Sequence, residues 1–161
     1  MLDQLAESDI IRLRPLQSAD LDTFLQLGCE TCGSLHGRPS QSKSDLFNRF
    51  KSFVKEFAFR PESEIWVASS AKSHYHGHIW LYTTSNRFNG NSELWVWDVS
   101  VMPDHRGKGI GKILMQYARS RAIELECKEL WLLVSEENEI AKNLYASYGL
   151  MPRAHMMALD L

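Results

Sequence analysis

Apolar and polar residues alternate over several short segments of the chain, as they do in β-strands that bury one face. These segments are residues 11–14, 65–70, 78–84 and 93–101. Pro15 ends the first of them. Asn89 and Gly90 form a typical hairpin turn ahead of the last. The spacing predicts that the last three strands form an antiparallel meander.

Helical spacing of apolar residues marks four other segments. Ser18 is expected to cap the first helix, and the second stops before Pro61. The third and fourth predicted helices span residues 111–127 and 139–148. The apolar positions of the first three helices are Leu21, Phe24 and Leu25; Phe47, Phe50, Val54 and Phe57; and Leu114, Tyr117, Ala118, Ala122 and Leu125.

A predicted strand follows each of the last two helices, at residues 130–134 and near 155–161. Such helix crossovers join parallel strands. The fold class is therefore α/β (α+β), with a mixed, mostly antiparallel sheet of about six to seven strands and about four helices. A polar stretch at residues 32–44 is predicted to be a long loop, which in a compact domain is usually a functional lid or a mobile segment. With 161 residues and no linker or repeat, the chain is expected to form one domain, residues 1–161.

The composition of the chain limits the classes of partner that it is expected to bind. The chain is 44% hydrophobic and 24% charged, and its net charge of -2 gives no overall basic field. A nucleic-acid partner is therefore not expected. A membrane is not expected either, because the longest apolar runs are a few residues and the N-terminus lacks the pattern of a signal peptide. These features predict a cytoplasmic protein.

The cysteines are too few for a disulfide framework and fit a reducing compartment. They are Cys29, Cys32 and Cys127. The first two form a Cys-x-x-Cys pair near His36, but a zinc site there lacks a fourth ligand and a second pair. Ordinary buried thiols are the favoured interpretation.

Three histidines alternate at the start of a predicted strand: His74, His76 and His78. Their side chains can share one face and chelate a metal. Because no carboxylate or cysteine lies close to them in sequence, a polar hairpin end is the favoured interpretation. No metal is expected in this protein.

The most informative segment joins an apolar strand to a predicted helix through a basic, glycine-rich turn. The turn consists of Arg106, Gly107, Lys108, Gly109, Ile110, Gly111 and Lys112. At a helix N-terminus the first amide N–H groups have no intrahelical partner, and the helix dipole adds partial positive charge. Glycines let the backbone approach a ligand closely, and the cationic side chains add formal charge. The turn is therefore predicted to bind a pyrophosphate.

Two common nucleotide-binding motifs do not fit this turn. A Walker A loop has four residues between its first glycine and the Gly-Lys pair and then Ser or Thr, whereas Gly107 and Gly111 enclose three residues and Ile113 follows. A dinucleotide fingerprint has its third glycine three positions after the second, whereas Gly109 and Gly111 are two apart. For a lone glycine cluster, a tight turn without a ligand is the alternative.

The neighbouring residues resemble a known family. The pattern Val99-x-Val101-x-Pro103-x-x-Arg106-Gly107-x-Gly109-Ile110-Gly111 resembles the acyl-CoA signature of the GNAT superfamily of N-acyltransferases. A second block resembles the family pattern Asn-x-x-Ala-x-x-x-Tyr-x-x-x-Gly-Phe. Its matching positions are Asn138, Ala141, Tyr145 and Gly149, with Leu150 in place of the usual Phe. The resemblance implies a GNAT-like fold and acetyl-CoA as the acyl-donor cosubstrate.

The resemblance also implies roles for individual residues. Backbone groups of Val99 and Val101 would pair with the pantetheine amides, and the Val99 N–H would polarise the thioester carbonyl. Asn138 would hydrogen-bond the cofactor arm, and the turn over residues 106–112 would hold the pyrophosphate. Tyr145 would protonate the departing thiolate, a nearly balanced transfer because a thiol has a pKa of about 8.5 and tyrosine about 10. A tyrosine packed against the sheet is the alternative.

Asp98, an acidic residue in an apolar strand, is the candidate general base or amine anchor. Strict alternation predicts that its side chain shares a face with Val96 and Ser100, opposite Trp97 and Val99. A carboxylate there is costly unless a cleft solvates it or it is hydrogen-bonded. A structural acid bonded to the backbone is therefore the alternative.

Other acids are weaker candidates for the base. Many relatives carry a Glu in the strand before the Asn block, where this chain has Leu133. Glu93, Glu136 and Glu137 could act through water instead, although acids at strand ends are more often solvated.

The resemblance implies an N-acetyltransferase that moves the acetyl group of acetyl-CoA to a primary amine of a small molecule or peptide, by direct transfer in a ternary complex. The loop at residues 32–44 is then expected near the acceptor site. A non-catalytic acyl-CoA sensor or interaction module, and a phosphate-binding domain for another nucleotide, are the alternatives. The acidic candidates suit a cationic amine as the acceptor. The terminal strand can pair with its counterpart in a homodimer, as in relatives.

Overall fold

The structure, a computed structural model, describes residues 10–35, 42–157 and 159. Its sheet has five strands in sequence order, β1 to β5. They are Arg12–Pro15, Ser63–Ser69, Gly77–Ser85, Ser92–Val101 and Glu129–Leu132. Neighbouring strands are antiparallel except β4 and β5, which are parallel. The mixed, mostly antiparallel sheet is confirmed, with fewer strands than the six to seven expected.

Four α-helices cover the two faces of this sheet. They are α1 (Leu21–Leu35), α2 (Lys43–Phe57), α3 (Ile110–Glu124) and α4 (Glu139–Ser147). One core lies where α1 and α2 pack on the sheet, around Phe24 and Trp80. The other lies under α3, around Leu114 and Met115. Burial of an apolar stripe from each helix against one sheet explains the alternation and the helical spacing seen in the sequence.

The first helix starts and ends differently from the sequence prediction. Ser18 does not cap it but opens a 3₁₀ turn, Ser18–Asp20, in which the Asp20 carboxylate accepts a hydrogen bond from the Gln17 N–H at 2.8 Å. The helix then continues to Leu35, so the predicted loop is wrong for residues 32–35. Gly33 explains part of this extension, because its missing side chain lets Leu46 of α2 approach. The same prediction is wrong for Lys43 and Ser44, which belong to α2. Residues 36–41 of the predicted loop lie outside the described residues.

A β-bulge interrupts the alternation predicted for β4. The register pairs Trp80 with Asp98 but Leu81 with Val96, so Trp97 is an extra residue on β4. Val96 therefore packs in the core under α3, whereas Trp97 packs in the core under α1 and α2. The prediction that Val96 shares a face with Asp98, opposite Trp97, is wrong for this reason.

Strands β4 and β5 separate after a short paired region. Their last paired residues are Val96 and Leu132, where β5 ends two residues earlier than predicted. Strand β4 continues to Val101, while the chain after β5 leads to α4. A cleft therefore opens between the two strands.

The strand predicted near residues 155–161 is not formed where the structure describes that segment. Residues 151–157 have no regular secondary structure and are exposed, and residues 158, 160 and 161 lie outside the described part. The sequence explains the failure, because Met156 and Met157 are adjacent apolar residues and break the alternation that a half-buried strand needs. Among the described helices, none has the length and apolar character needed to cross a bilayer.

Candidate functional site

The cleft between β4 and β5 brings together several of the residues singled out in the sequence. Its lining consists of Thr31, Val96, Trp97, Asp98, Val99, Leu132, Leu133, Val134, Ser135, Asn138, Ala141 and Tyr145. Four of these were candidate site residues: Asp98, Val99, Asn138 and Tyr145. They come from β4 and from α4 with its cap, two elements that only the fold brings together.

The glycine turn lies directly after β4 and opens α3. Gly107 and Gly109 have φ values of 74° and 82°, which L side chains rarely adopt. Nothing lies within 4 Å of the position that a Cβ atom would take at either glycine. Gly109 precedes the first helical residue, Ile110, which is buried and fixes the start of α3 on the sheet. The predicted helix start at this turn is confirmed.

Positive charge surrounds the amide groups of this turn. Arg106, Lys108 and Lys112 are all exposed there. The Arg106 Nε donates to the Val101 carbonyl oxygen at 3.0 Å, so this side chain folds back toward the end of β4. The first helical amides have no carbonyl four residues earlier in α3 to accept from them. The turn is thus open, cationic and rich in N–H donors.

Helix α4 is fixed next to the turn by close packing. A Cβ atom at Gly111 would lie 3.2 Å from Leu144 Cδ2, so a glycine there lets the two helices approach. The Tyr148 hydroxyl donates to the Lys112 carbonyl at 2.8 Å. These contacts hold Tyr145 of α4 over the cleft, on the same side as the turn.

Tyr145 lies in a largely dry environment. Burial, with a smaller contribution from the Asp98 charge, raises the pKa of Tyr145 to about 12. Its phenol therefore stays protonated at neutral pH, but it is a weaker acid than a free tyrosine. Proton transfer from Tyr145 to a thiolate is therefore less favourable than an ordinary tyrosine pKa of about 10 would predict.

Asn138 has a structural role that is already visible. Its Oδ1 accepts from the Ala141 N–H at 3.0 Å and caps the N-terminus of α4. The hydrogen bond predicted between Asn138 and a cofactor arm stays a prediction.

The Asp98 carboxylate is held below the cleft by side chains of the sheet. Its side chain is 1% exposed. Oδ1 accepts from the Ser100 hydroxyl at 2.8 Å, and Oδ2 lies 2.7 Å from His78 Nε2. A Cβ atom at Gly28 of α1 would lie 2.6 Å from Oδ2, so the helix covers the carboxylate directly. Asp98 is thus part of the cleft lining, with a carboxylate that is almost inaccessible to solvent.

The sequence reasoning missed His78 and Ser100 as partners of Asp98. The signal that could have found them is the pairing of two neighbouring strands, since the register places His78 opposite Ser100. The alternation of His74, His76 and His78 suggests one group of histidines, so it does not predict the pairing of His78 with Asp98. His76 instead has its Nε2 2.8 Å from the Ser70 hydroxyl, so these two histidines do not share partners.

Two of the weaker candidates for the base, Glu93 and Glu136, have other partners. Glu93 is buried and accepts from Asn86 Nδ2 at 2.5 Å and from Trp95 Nε1 at 3.2 Å. Glu136 is paired with Lys142 at 3.1 Å, on the exposed surface of α4. Neither of these glutamates lines the cleft.

The Cys-x-x-Cys pair lies within α1, next to the cleft. Burial raises the pKa of Cys32 to about 12, with a further contribution from the Asp98 charge. Burial also raises the pKa of Cys29. Both thiols are therefore poor nucleophiles and poor metal ligands at neutral pH. No group of three His, Cys, Asp or Glu residues in the described part of the chain is arranged to hold a metal.

Solved structures share this fold. A Pyrococcus furiosus protein provisionally named an acetyl transferase superposes with a TM-score of 0.80, at 23% identity, over 94% of this chain and all of that one. A Trypanosoma brucei acetyltransferase superposes with a TM-score of 0.66, at 24% identity, over 94% of this chain and 100% of that chain. At such identities the likeness is one of fold.

Sequence comparison finds a shorter match to a characterised protein. The chain is 42% identical to streptothricin acetyltransferase of Streptomyces lavendulae over 59 residues, which are 37% of this chain and 31% of that protein. The match thus spans about a third of the length of that relative. The model of the Acetyltransferase (GNAT) family matches residues 26–150. Because that match takes in most of the chain, including β4, the turn and α4, the chain belongs to the Acetyltransferase (GNAT) family.

Proposed function

We propose that this protein transfers the acetyl group of acetyl-CoA to a primary amine, by direct transfer within a ternary complex. The observation that carries the proposal is the combination of three features: the unpaired edge of β4, the open cationic turn that follows it in the chain, and the Tyr145 side chain in the lining of the cleft. A tight turn made only for chain reversal needs neither the cleft nor a tyrosine above it.

The residues of the turn fit the pyrophosphate of acetyl-CoA. Gly107 and Gly109 leave open space where other residues carry a side chain. Arg106, Lys108 and Lys112 supply positive charge beside amides that the helix leaves unsatisfied. Strand β4 has no β5 partner beyond Val96. The backbone groups of Val99 and Val101 are therefore the candidate partners for the pantetheine amides. The Val101 carbonyl, which accepts from Arg106, would be released by that side chain when the ligand binds.

Acetyl-CoA supplies a thioester whose carbonyl carbon is attacked by the amine nitrogen. The Val99 N–H is the candidate donor to the thioester oxygen, where negative charge develops. The Tyr145 phenol is the candidate donor to the departing sulfur, since its raised pKa keeps the proton in place at neutral pH. Asp98 is the candidate group that accepts the proton of the amine.

The acceptor we propose is a cationic primary amine of a small molecule or a peptide. The Asp98 charge lies beneath the cleft, and Trp97 lines it with apolar surface. A ring of aromatic residues continues from Trp97 through Tyr82 and Phe57. An amine with an apolar body suits this combination.

Titration calorimetry with acetyl-CoA tests the binding half of the proposal. Arg106→Glu places negative charge at the turn and is expected to lower the affinity at least about 10-fold, since close charge contacts contribute about 1.5–3 kcal/mol. Arg119→Glu makes the same change on the exposed surface of α3 and is expected to bind as the wild type does. Equal acetyl-CoA affinities in the wild type and both variants would show that the pyrophosphate does not bind at this turn.

A screen of amines with release of free thiol as the readout tests the chemical half. Tyr145→Phe is expected to lower kcat by about 100-fold, the smaller end of general-acid effects, with the acetyl-CoA affinity unchanged. Tyr117→Phe removes a hydroxyl from α3 away from the cleft and is expected to keep full turnover. Binding without turnover of any amine would favour the alternative, a non-catalytic acyl-CoA sensor.

A further inference from the structure

The last residue of β4 carries backbone groups that face away from β3. The register places Val101 opposite Gly77. One residue further on, the Met102 N–H donates to the His76 carbonyl at 2.9 Å. Hydrogen-bonded and non-hydrogen-bonded pairs alternate in an antiparallel ladder, so the N–H and C=O of Val101 point to the other edge of β4. That edge has no β5 partner beyond Val96, and the Val101 carbonyl is therefore accessible to a side chain or a ligand.

The Arg106 side chain reaches this carbonyl. Its Nε donates to the Val101 oxygen at 3.0 Å. In a β-ladder the donor nitrogen lies about 2.7–3.2 Å from the oxygen that accepts from it. The guanidinium thus stands where a strand added to the edge of β4 would place its own N–H group. Arg106 and a pantetheine amide would compete for this position.

The turn between Val101 and Arg106 is already closed by its backbone. The His105 N–H donates to the Met102 carbonyl at 2.9 Å, and the Arg106 N–H donates to the Pro103 carbonyl at 3.2 Å. The Arg106 side chain is exposed, and within the described residues its guanidinium donates to Val101 alone. A single bond on an exposed side chain leaves the guanidinium able to change partners.

The pyrophosphate is the stronger of the two partners that Arg106 would have. Arg106 belongs to the glycine turn, so its side chain can reach an anion bound there. A guanidinium donates two parallel N–H bonds to a phosphate group, and both partners are charged. To Val101 it donates one bond, and the acceptor is neutral. Binding of the pyrophosphate would therefore draw Arg106 away from β4.

We propose that Arg106 couples the two halves of the acetyl-CoA site and makes the site selective for CoA thioesters over thioesters of pantetheine alone. This inference rests on the proposed N-acetyltransferase function. A donor with the pyrophosphate moves Arg106 to the turn and gains access to the Val101 carbonyl. A donor without the pyrophosphate displaces Arg106 and gives the guanidinium no new partner. Arg106 is thus a specificity-determining residue for the acyl donor.

Two other roles for the bond between Arg106 and Val101 make different predictions. A bond that only stiffens the turn predicts that loss of Arg106 weakens the binding of both kinds of donor. A carbonyl oxygen has two lone pairs, and simultaneous acceptance from Arg106 and a pantetheine amide predicts no effect on the short donor. Coupling alone predicts opposite effects on the long donor and the short one.

The test compares acetyl-CoA with S-acetylpantetheine, which has the same thioester arm but no pyrophosphate or nucleotide. Affinities are measured by calorimetry for the first and by NMR titration for the second. Arg106→Ala is expected to bind S-acetylpantetheine about 3- to 10-fold more tightly than the wild type, the range for one net hydrogen bond. It is expected to bind acetyl-CoA at least about 3-fold more weakly, because the contact with the pyrophosphate is lost.

Lys112→Ala is the matched control. Lys112 is an exposed cation of the same turn, and within the described residues its side chain donates no bond to β4. Its loss is expected to weaken acetyl-CoA binding and to leave the affinity for S-acetylpantetheine unchanged. A rise in S-acetylpantetheine affinity in Lys112→Ala equal to that in Arg106→Ala would overturn the coupling, since general removal of charge would then explain both.

Donor selectivity provides a second readout, from turnover. With one amine as the acceptor, kcat/KM is measured for acetyl-CoA and for S-acetylpantetheine. The ratio of the two values is expected to fall at least about 10-fold in Arg106→Ala, since its two expected changes in affinity act in opposite directions. An unchanged ratio would overturn the selectivity assigned to Arg106.

The outcomes separate this inference from the function on which it rests. S-acetylpantetheine that binds equally to the wild type and to Arg106→Ala, or to neither, would overturn the coupling. Weaker binding of both donors by Arg106→Ala would overturn it as well, in favour of a bond that stiffens the turn. In each case acetylation of an amine by the wild type would leave the N-acetyltransferase proposal standing. A wild type that does not bind acetyl-CoA would overturn the proposed function and the coupling together.

Discussion

Gly28 sets the distance between α1 and the buried Asp98 carboxylate. A Cβ atom at this position would lie 2.6 Å from Asp98 Oδ2 and 2.6 Å from Phe50 Cζ. Both neighbours are buried and packed, so neither has free space to move into. Packing therefore requires a glycine at position 28, although glycine is normally unfavourable in the interior of a helix.

Gly28→Ala is expected to destabilise the protein by about 1–3 kcal/mol, the usual cost of overpacking a core. Gly33→Ala, in the same helix, is the matched control. Its new Cβ atom would lie 2.8 Å from the end of the Leu46 side chain, which can move, and alanine favours the helix by up to about 1 kcal/mol. Urea unfolding of both variants measures the difference. A Gly28→Ala variant as stable as Gly33→Ala would show that α1 can shift away from Asp98.

At the scale of residues, local motifs were predictable and distant partners were not. The spacing of Gly107 and Gly109 alone predicts an unusual backbone conformation, and both residues have positive φ values. The pairing of Asp98 with His78 depends on the register of two strands whose sequence positions are 20 apart. No local pattern fixes that register, so the partner of Asp98 came only from the fold.

At the scale of elements, one ion pair joins β1 to the turn that begins α1. Arg14 NH1 lies 2.6 Å from Asp20 Oδ2, and the side chain of Asp20 is 8% exposed. Arg14 also donates to the His74 carbonyl at 2.8 Å, and Asp20 accepts from the Gln17 N–H. The pair thus links the first strand, the first helix and the loop before β3.

This pair predicts a specific loss of stability in acid. The Arg14 hydrogen bonds lower the pKa of Asp20 below its usual range. A lowered pKa in the folded state means that the stabilisation is complete above the unfolded pKa of about 3.9 and is lost as the pH falls through the folded value. Asp20→Asn is therefore expected to be about 1–3 kcal/mol less stable at pH 7, with the gap to wild type closing below about pH 4.

Urea unfolding from pH 2.5 to 7 measures that gap. Asp22→Asn is the control, because it removes an exposed carboxylate from the first turn of the same helix. It is expected to change stability by less than about 0.5 kcal/mol at any pH. A gap for Asp20→Asn that stays constant with pH would show that its charge does not stabilise the fold.

Elements were predictable from spacing wherever the spacing was regular. The alternation of β2 and β3 gave their bounds to within two residues, whereas α2 begins four residues before Phe47, the first residue of its apolar stripe. The bulge at Trp97 was not predictable, because one extra residue in an apolar run leaves no mark on the sequence. Helix α1 ran past its predicted end because Gly33 serves the packing of two helices rather than a loop.

At the scale of the whole molecule, two helical layers enclose one sheet, and the split in that sheet provides the site. Helices α1 and α2 cover the face with Asp98, while α3 carries the glycine turn at the end of β4. The free edge of β4 and Tyr145 line one cleft, and the turn follows β4 in the chain. Under the proposed function, acetyl-CoA would therefore contact segments that are far apart in sequence.

Hydrogen exchange followed by mass spectrometry tests this geometry as a whole. Saturating acetyl-CoA is expected to slow exchange at amides 99–101, 107–112 and 138–141, and to leave β1 and β2 near their unliganded rates at short times. It should also raise the free energy of unfolding by about 2.7 kcal/mol at a ligand concentration 100 times the Kd. Arg106→Glu provides the control at the same ligand concentration: with its affinity lowered at least about 10-fold, it should show less protection and gain no more than about 1.4 kcal/mol. Protection centred on β1, β2 or α2 would place the ligand outside the cleft. The glycine turn would then be only the link between β4 and α3.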